Sequence, residues 1–178
     1  MIEQNQEAQS ELDGIIERLH DDVVVPARAT AGSAGLDLRA YLRGRTVKCS
    51  DGLSNGEIVA AEEGGEWCVT LRPGEMALIP LGFRTRLPHG VEAQIRPRSG
   101  QAFKHALTVP NAPGTIDADY VGPVIVLLIN HGDRVVRIEP GQRIAQLVIA
   151  PVVQAELVEA DELPATARGA GGFGSTGQ

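Results

Sequence analysis

Short apolar runs bounded by turn residues dominate the sequence after residue 72. They are rich in Val, Ile and Leu, and Gly, Pro, Asn and Asp separate them, which is typical of strands joined by tight turns. The predicted strands are Val23–Val25, Gly35–Ala40, Met76–Pro80, Phe83–Leu87, Val91–Arg96, Leu107–Val109, Val124–Asn130, Arg134–Ile138 and Arg143–Ala150. This pattern predicts an all-β fold, either an antiparallel β-barrel or a distorted jelly roll.

The composition favours the same architecture over a helical bundle. The 178 residues include 21 Gly and 11 Pro, and aromatic residues make up only 3% of the chain, so the core must consist mostly of Val, Ile, Leu and Ala. A formal net charge of −7 argues against a nucleic-acid partner, which would require basic residues against its backbone. No apolar run is long enough to span a membrane, and we therefore expect a cytoplasmic protein with no membrane partner.

The two ends of the chain differ from the predicted β domain at residues 23–158. Residues 1–22 are acidic and polar, with apolar residues at helical spacing, which predicts a short N-terminal helix. These apolar residues are Leu12, Ile15, Ile16 and Leu19. Residues 159–178 are polar and glycine-rich, and we expect a flexible C-terminal arm without a core of its own.

Residues 43–71 contain two turn-rich stretches and predict one hairpin-like insertion in the β domain. If Arg45–Cys49 pairs antiparallel with Trp67–Leu71, Cys49 lies opposite Cys68 and the two thiols are neighbours. Two cysteines are too few for a disulfide framework, and in a reducing cytoplasm we expect both to stay reduced.

The segment Asn111–Gly122, N-A-P-G-T-I-D-A-D-Y-V-G, places several ligand-binding groups in one bend between two apolar runs. Asn111 offers an amide that donates and accepts, and Gly114 permits close backbone approach. Asp117 can act as a base, and Tyr120 presents a flat aromatic face. A wide hairpin in which these residue types only form turns explains the segment equally well, so both interpretations remain open.

Further candidate groups are suited to a phosphate chain. Arg98, Ser99 and Gly100 combine a guanidinium, a hydroxyl and open backbone amides, although a strand end with a solvated arginine explains them too. Asp37 interrupts an apolar strand, so it either pairs with an arginine or works in a site. Gln146 also interrupts an apolar strand, and it either reaches a phosphate or faces solvent.

The glycine-rich arm is a candidate lid. Its arginine, aromatic ring and hydroxyls could close over a phosphorylated ligand, whereas simple disorder is the competing interpretation. The residues concerned are Arg168, Phe173, Gly174, Ser175 and Thr176.

In their order along the chain, these segments resemble the motifs of the trimeric dUTP pyrophosphatase family, usually called dUTPase. Five motifs carry the resemblance: A-G-S-A-G-L-D-L, R-P-R-S-G, N-A-P-G-T-I-D-A-D-Y-V-G, G-Q-R-I-A-Q-L and R-G-A-G-G-F-G-S-T-G. It extends from Val23 to the C-terminus, apart from residues 43–71. Two positions depart from the family pattern: Val121 is often polar in relatives, and Gln101 is often apolar.

The resemblance implies a jelly-roll enzyme that hydrolyses dUTP to dUMP and pyrophosphate by attack of water on the α-phosphorus. Such a reaction limits uracil in DNA and supplies dUMP for dTMP synthesis. Asp117 is implied as the general base, with Asp37 in a supporting role. Asn111 would bind the uracil edge, Tyr120 would lie under the deoxyribose, and Phe173 would close over the base. The nearby backbone that contacts the substrate is that of Gly114, Thr115 and Ile116.

The resemblance also implies how the triphosphate is bound. The groups for the inner phosphates are Arg98, Ser99, Gly100 and Gln146. Those on the arm, for the outer phosphate, are Arg168, Gly174, Ser175 and Thr176. The implied cofactor is Mg²⁺, bridging the three phosphates and held through phosphate oxygens and waters with no direct protein ligand.

The implied assembly is a homotrimer with dUTP sites between subunits and the arm lent to a neighbour. The related dCTP deaminases place a glutamate five residues beyond the position of Gly122, and Leu127 occupies that position here. This argues against deamination. A regulatory protein that binds dUTP as a signal would keep the same motifs, and residues 1–22 or 43–71 could carry its additional contacts.

Overall fold

A computed structural model describes residues 14–63 and 66–172 of the chain. Antiparallel strands joined by short turns make up most of this part. The strands are β1 Ile15–Arg18, β2 Ala27–Arg28, β3 Leu36–Arg39, β4 Thr46–Ser50, β5 Asn55–Val59, β6 Ala61–Glu63, β7 Glu66–Leu71, β8 Met76–Arg86, β9 Val91–Pro97, β10 Leu107–Thr108, β11 Gly114–Ile116, β12 Pro123–Asn130, β13 Val136–Ile138 and β14 Arg143–Pro151. A short helix, α1 Ser99–His105, follows β9. The prediction of an all-β fold is confirmed. Within the two described ranges, no helix is long and apolar enough to cross a membrane.

Two antiparallel sheets and a smaller third sheet surround the core. The first has the strand order β10-β12-β8-β4-β5, with β1 added on β8, and the second has the order β11-β9-β14-β3-β2. The third consists of β13-β7-β6. Side chains alternate across each strand, so every second residue points into the core. The largest fully buried side chains include Phe83, Leu38, Leu42, Ile79, Leu107 and Leu128.

The predicted N-terminal helix is wrong in its described part. Ile15–Arg18 forms β1, which pairs antiparallel with the end of β8 and places Glu17 opposite Arg84. The two side chains form a double ion pair, with Nε–Oε2 at 2.7 Å and Nη2–Oε1 at 2.8 Å. The hydrogen bond from Arg84 lowers the pKa of Glu17. β-Branched residues favour a strand when an edge is available, and this outweighed the helical spacing. Residues 1–13 lie outside the described residues.

Residues 43–71 form two hairpins instead of the single predicted one. β4 pairs with β5, which places Cys49 opposite Gly56, and β6 pairs with β7, which places Cys68 opposite Ala61. The predicted pairing of Cys49 with Cys68 is therefore wrong, and both thiols are free. A local turn explains the difference. The Asp51 carboxylate accepts the N–H groups of the residues two and three positions later, at 2.9 and 2.7 Å, and so closes the first hairpin early.

Two other strand predictions change. Val23–Val25 does not form a strand, although Val23 is buried in the core at 3% exposure. The two strands predicted between residues 76 and 87 form the single long strand β8. After β14, residues 152–172 form neither strand nor helix.

The segment 43–71 is part of the core and not an excursion from it. Val47 in β4 is 1% exposed, and Val69 and Leu71 in β7 are fully buried. Leu53, at the tip of the first hairpin, is 97% exposed. The segment therefore contains both core residues and a solvated turn.

We expect Leu71→Ala to lower the free energy of unfolding by about 2–5 kcal/mol, because it removes buried apolar volume and leaves a cavity. The matched control Leu53→Ala should change it by less than about 0.5 kcal/mol, because that side chain is solvated. Urea unfolding of both variants measures the difference. Equal, small effects would contradict a core role for this segment.

Candidate active site

A cavity of about 370 Å³ lies where β3, β14 and the start of α1 meet. The structure brings five of the predicted site residues to its wall: Asp37, Arg98, Ser99, Gly100 and Gln146. The other lining residues are Ala29, Ser33, Ala34, Gly35 and Arg143. The groups that suited a phosphate chain in the sequence therefore share one surface.

The register of the second sheet explains this grouping. Gln146 in β14 lies between Asp37 in β3 and Arg96 in β9, so the three residues share one face of the sheet. Arg98 follows two residues later in an extended conformation, with φ −97° and ψ 128°, at the point where β9 ends and α1 begins. The sequence pattern indicated only a strand end here and missed the helix.

The Asp37 carboxylate bridges two arginines. Its Oδ1 lies 3.2 Å from Nε of Arg98, and its Oδ2 lies 3.0 Å from Nη1 of Arg143. The Asp37 side chain is 20% exposed, so the pairs are partly shielded from water. Two guanidinium groups around one carboxylate leave a net positive charge, which suits an anionic ligand.

Arg143 was not among the residues singled out in the sequence. A signal for it was present, because a partly buried aspartate needs a cationic partner and Arg143 lies within the G-Q-R-I-A-Q-L motif.

Gln146 is fixed by its neighbours. Its Nε2 donates to the backbone oxygen of Pro97 at 3.0 Å. A Cβ atom built on Gly35 would lie only 2.6 Å from Oε1 of Gln146, so the glutamine amide occupies the space that any larger residue would need. Gly35 is therefore required for the observed position of Gln146.

The Asn111–Gly122 segment forms a separate surface at the edge of the same sheet. β11 pairs with β9, so that Thr115 lies opposite Gln94 while Gly114 and Ile116 are buried. The exposed side chain of Asn111 lies against Gly114, since a Cβ on that glycine would be 3.2 Å from Nδ2 of Asn111.

The aspartate and the tyrosine of this segment stand together in a turn. The exposed Asp117 accepts the N–H of Tyr120 on its backbone oxygen at 3.2 Å. The Tyr120 hydroxyl donates to the backbone oxygen of Pro123 at 3.0 Å, and the residue stays 44% exposed. A Cβ on Gly122 would lie 2.5 Å from that hydroxyl, so the ring position also depends on a glycine.

The cavity and the Asn111–Gly122 segment do not meet within one chain. β11 and β3 are separated by β9 and β14, which corresponds to about 14 Å at the usual strand spacing. None of residues 111–122, all of which are described, lines the cavity. Asp117 and the residues that line the cavity thus lie on two different surfaces of the chain.

Of the predicted arm, residues 159–172 are described. Arg168 is exposed, and its Nε donates to the backbone oxygen of Gly171 at 2.9 Å. The other predicted arm residues, Phe173, Gly174, Ser175 and Thr176, lie outside the described residues. In the part of the chain that the structure covers, no three His, Cys, Asp or Glu side chains are grouped so that they could hold a metal ion.

Comparison with known proteins identifies the family of this chain. The family profile described as dUTPase matches residues 67–177, which is more than half of the chain. The chain belongs to the dUTPase family. The deoxyuridine 5'-triphosphate nucleotidohydrolase of Rhizobium rhizogenes is 52% identical over 153 residues, covering 86% of this chain and 85% of that protein. The protein of the same name from Nautilia profundicola is 46% identical over 163 residues, covering 92% of this chain and 97% of its own.

Solved structures agree. The Staphylococcus bacteriophage 80alpha dUTPase, solved with dUPNHPP, has a TM-score of 0.72 and 26% identity, and the match covers 93% of this chain and 99% of that one. The dUTPase of Streptococcus mutans has a TM-score of 0.60 and 23% identity, covering 79% and 98% of the two chains, and supports the fold alone. The predicted jelly-roll type of fold is thereby confirmed.

We expect Gly35→Ala to raise KM for dUTP, the nucleotide for which the family is named, by roughly 10-fold. The new methyl group must displace the Gln146 amide and so break its hydrogen bond to Pro97. The control is Gly32→Ala, because a Cβ at that position meets nothing within 4 Å. Steady-state kinetics compare the two, and identical KM values would show that the position of Gln146 has no bearing on substrate binding.

Proposed function

We propose that this protein hydrolyses dUTP to dUMP and pyrophosphate, with a water molecule attacking the α-phosphorus. The observation that carries the proposal is the cavity in which Asp37 holds Arg98 beside Ser99, Gly100 and Gln146. A guanidinium with neighbouring hydroxyl and amide donors matches the charge and the acceptors of a triphosphate. Phosphoryl transfer depends mainly on positioning and charge stabilisation, which such a cavity supplies.

The phosphate contacts divide between the cavity and the arm. Arg98, Ser99, Gly100 and Gln146 bind the inner phosphates. The arm supplies Arg168 together with Ser175 and Thr176 for the outer phosphate. Among the described residues, Arg168 bonds within its own arm, so the proposed contact requires the arm to close over the ligand.

The cavity is suited to a triphosphate that brings Mg²⁺ with it. Asp37 is the carboxylate among the lining residues, and both of its oxygens are already paired with arginines. The phosphate oxygens and waters would therefore hold the ion, and the protein would bind the phosphates. When bound, the ion neutralises phosphate charge and makes the α-phosphorus a better electrophile.

The Asn111–Gly122 segment selects the uracil base and the deoxyribose. β11 is the edge strand of its sheet, so the outward backbone groups at the exposed Thr115, between the buried Gly114 and Ile116, are available to the uracil edge. The Asn111 amide completes this recognition, and the ring of Tyr120 lies under the deoxyribose, where a ribose 2′-hydroxyl would not fit. A site built to hydrogen-bond its substrate rejects a mismatched analogue by roughly 10⁴- to 10⁵-fold. Phe173 covers the base from the arm.

Asp117 is the general base. Its carboxylate is exposed at the turn that follows β11, next to the position proposed for the nucleoside. A carboxylate there can hold a water molecule and remove its proton during attack. Asp119, two residues later, is also exposed and serves as a natural comparison.

The separation of the two surfaces supports a homotrimer with active sites between subunits. If the Asn111–Gly122 segment of one subunit lies over the cavity of another, Asp117 and the bound phosphate chain come together. Neither strand pairing nor local turns need to change in such an arrangement.

The outer face of the first sheet offers an interface for this assembly. Leu78 of β8 pairs with Leu127 of β12, and Pro80 pairs with Ile125. The opposite faces of both strands already lie in the core, so these strands are apolar on both sides. Leu78 and Ile125 remain 38% and 40% exposed. Strands of this kind are normally covered on both faces, here by a second copy.

With Mg²⁺ present, we expect the wild-type protein to release pyrophosphate from dUTP. Asp117→Asn should lower kcat by roughly 10²- to 10⁴-fold, because the amide cannot accept the proton of the attacking water. Affinity for a non-hydrolysable dUTP analogue should be retained. Pyrophosphate release and calorimetric binding measure the two quantities separately.

Asp119→Asn is the matched control and should keep near wild-type kcat. dCTP, dTTP and UTP should be nearly untouched by the wild-type protein. Turnover of dCTP comparable to that of dUTP would contradict the proposed substrate, and full activity of Asp117→Asn would remove that residue as the base.

A further inference from the structure

The Arg98 guanidinium is held from two directions. Its Nε lies 3.2 Å from Oδ1 of Asp37, and its Nη1 donates to the backbone oxygen of Arg143 at 3.1 Å. These contacts fix both the position and the plane of the group. Its remaining N–H groups are available to a ligand in the cavity.

Arg143 takes part in this arrangement through two separate groups. Its Nη1 donates to Oδ2 of Asp37 at 3.0 Å, and its backbone oxygen accepts from Arg98. Asp37, Arg98 and Arg143 are thus linked in a closed ring by two hydrogen bonds and the Arg98–Asp37 ion pair. Displacing Arg143 would loosen Arg98 on both of its anchored sides.

A β-bulge makes the Arg143 backbone available for this role. In the pairing of β14 with β3, Arg143 lies opposite Arg39 and Ala145 lies opposite Leu38, so β14 contains one extra residue. A bulge interrupts the regular ladder and redirects the groups beside it. The Arg143 carbonyl therefore bonds to side chains at the start of α1.

Gln101 on α1 anchors the same carbonyl. Its Nε2 donates to the Arg143 oxygen at 3.1 Å, which also fixes the orientation of its amide, because only the nitrogen can donate. Among the described residues, the Oε1 atom of Gln101 is buried without a hydrogen-bond partner. An unpaired buried oxygen lowers stability, so an apolar residue at this position would be the more stable choice. The contact with Arg143 is what the glutamine adds.

We propose that Arg143 and Gln101 are positioning residues, which together hold Arg98 in the orientation that meets the phosphate chain. The proposal rests on the proposed function, because it assumes that Arg98 binds phosphate. Arg143 acts through the Asp37 carboxylate and its own carbonyl. Gln101 acts through that carbonyl alone.

The test for Arg143 compares two substitutions. Arg143→Ala should lower kcat/KM for dUTP by roughly 10- to 100-fold, because a misplaced Arg98 no longer matches the phosphates. Arg143→Lys should recover part of this loss, since it keeps a cation beside Asp37. A lysine variant as impaired as the alanine variant, with both still folded, would contradict the role of the ion pair. Arg134→Ala, at an exposed turn, is the control and should leave the kinetics unchanged.

The test for Gln101 separates positioning from stability. Gln101→Leu should lower kcat/KM by about 2- to 10-fold, whereas the melting temperature should stay the same or rise, because the unpaired oxygen is removed. In an Arg98→Ala background the same substitution should have no further effect on kcat/KM. Equal losses in both backgrounds, or a joint loss of activity and stability, would overturn the proposal.

Failure of the proposed function gives a different result. If the wild-type protein does not hydrolyse dUTP, the proposed function fails. Affinity for inorganic tripolyphosphate then reports on positioning: Gln101→Leu should weaken it with Arg98 present and leave it unchanged with Arg98→Ala. Equal weakening in both backgrounds, or none in either, would overturn the positioning role.

Discussion

The site depends on one partly buried carboxylate placed between two arginines. Asp37 connects β3 to the end of β9 through Arg98 and to β14 through Arg143. Removing the carboxylate would leave two neighbouring cations without a counter-charge and would leave Arg98 with its hydrogen bond to the Arg143 backbone oxygen as the remaining anchor. With the carboxylate present, the surplus positive charge of the group faces the cavity. The same interaction therefore stabilises the junction of three elements and prepares it for an anion.

Sheet geometry places the candidate site residues on two surfaces of the chain. The groups that we propose bind phosphate lie at the β3 side of the second sheet, whereas the segment with Asp117 lies at its β11 edge. Rigid strands keep these surfaces apart within one chain. The apolar outer face of β8 and β12 favours association between chains. Association would bring the Asp117 carboxylate of one chain to the phosphates bound by another. In the proposed homotrimer, catalysis therefore requires assembly.

The residue pattern predicted most of the strands and placed Arg98 and Ser99 at a strand end, because turn residues and alternating side chains are local signals. Asp37 could be predicted to need an arginine, but the strand register that selects Arg143 is a tertiary property. α1 was missed because R-S-G-Q-A-F-K-H has a glycine and no capping side chain. The helix predicted within residues 1–22 was wrong at Ile15–Arg18, because a free edge of β8 accepts a strand there. In residues 43–71, a side-chain turn at Asp51 set the pairing, which alternation could not reveal.

The most direct test of active sites shared between subunits is complementation between two inactive variants. Asp117→Asn and Arg98→Ala, carrying different tags and co-expressed in equal amounts, should form mixed trimers. If each site combines the Asn111–Gly122 segment of one subunit with the cavity of another, roughly a third of the sites in trimers that contain both variants receive both intact residues. The doubly tagged fraction should then recover about that share of wild-type dUTP hydrolysis. Activity no higher than that of the separate variants would contradict active sites shared between subunits.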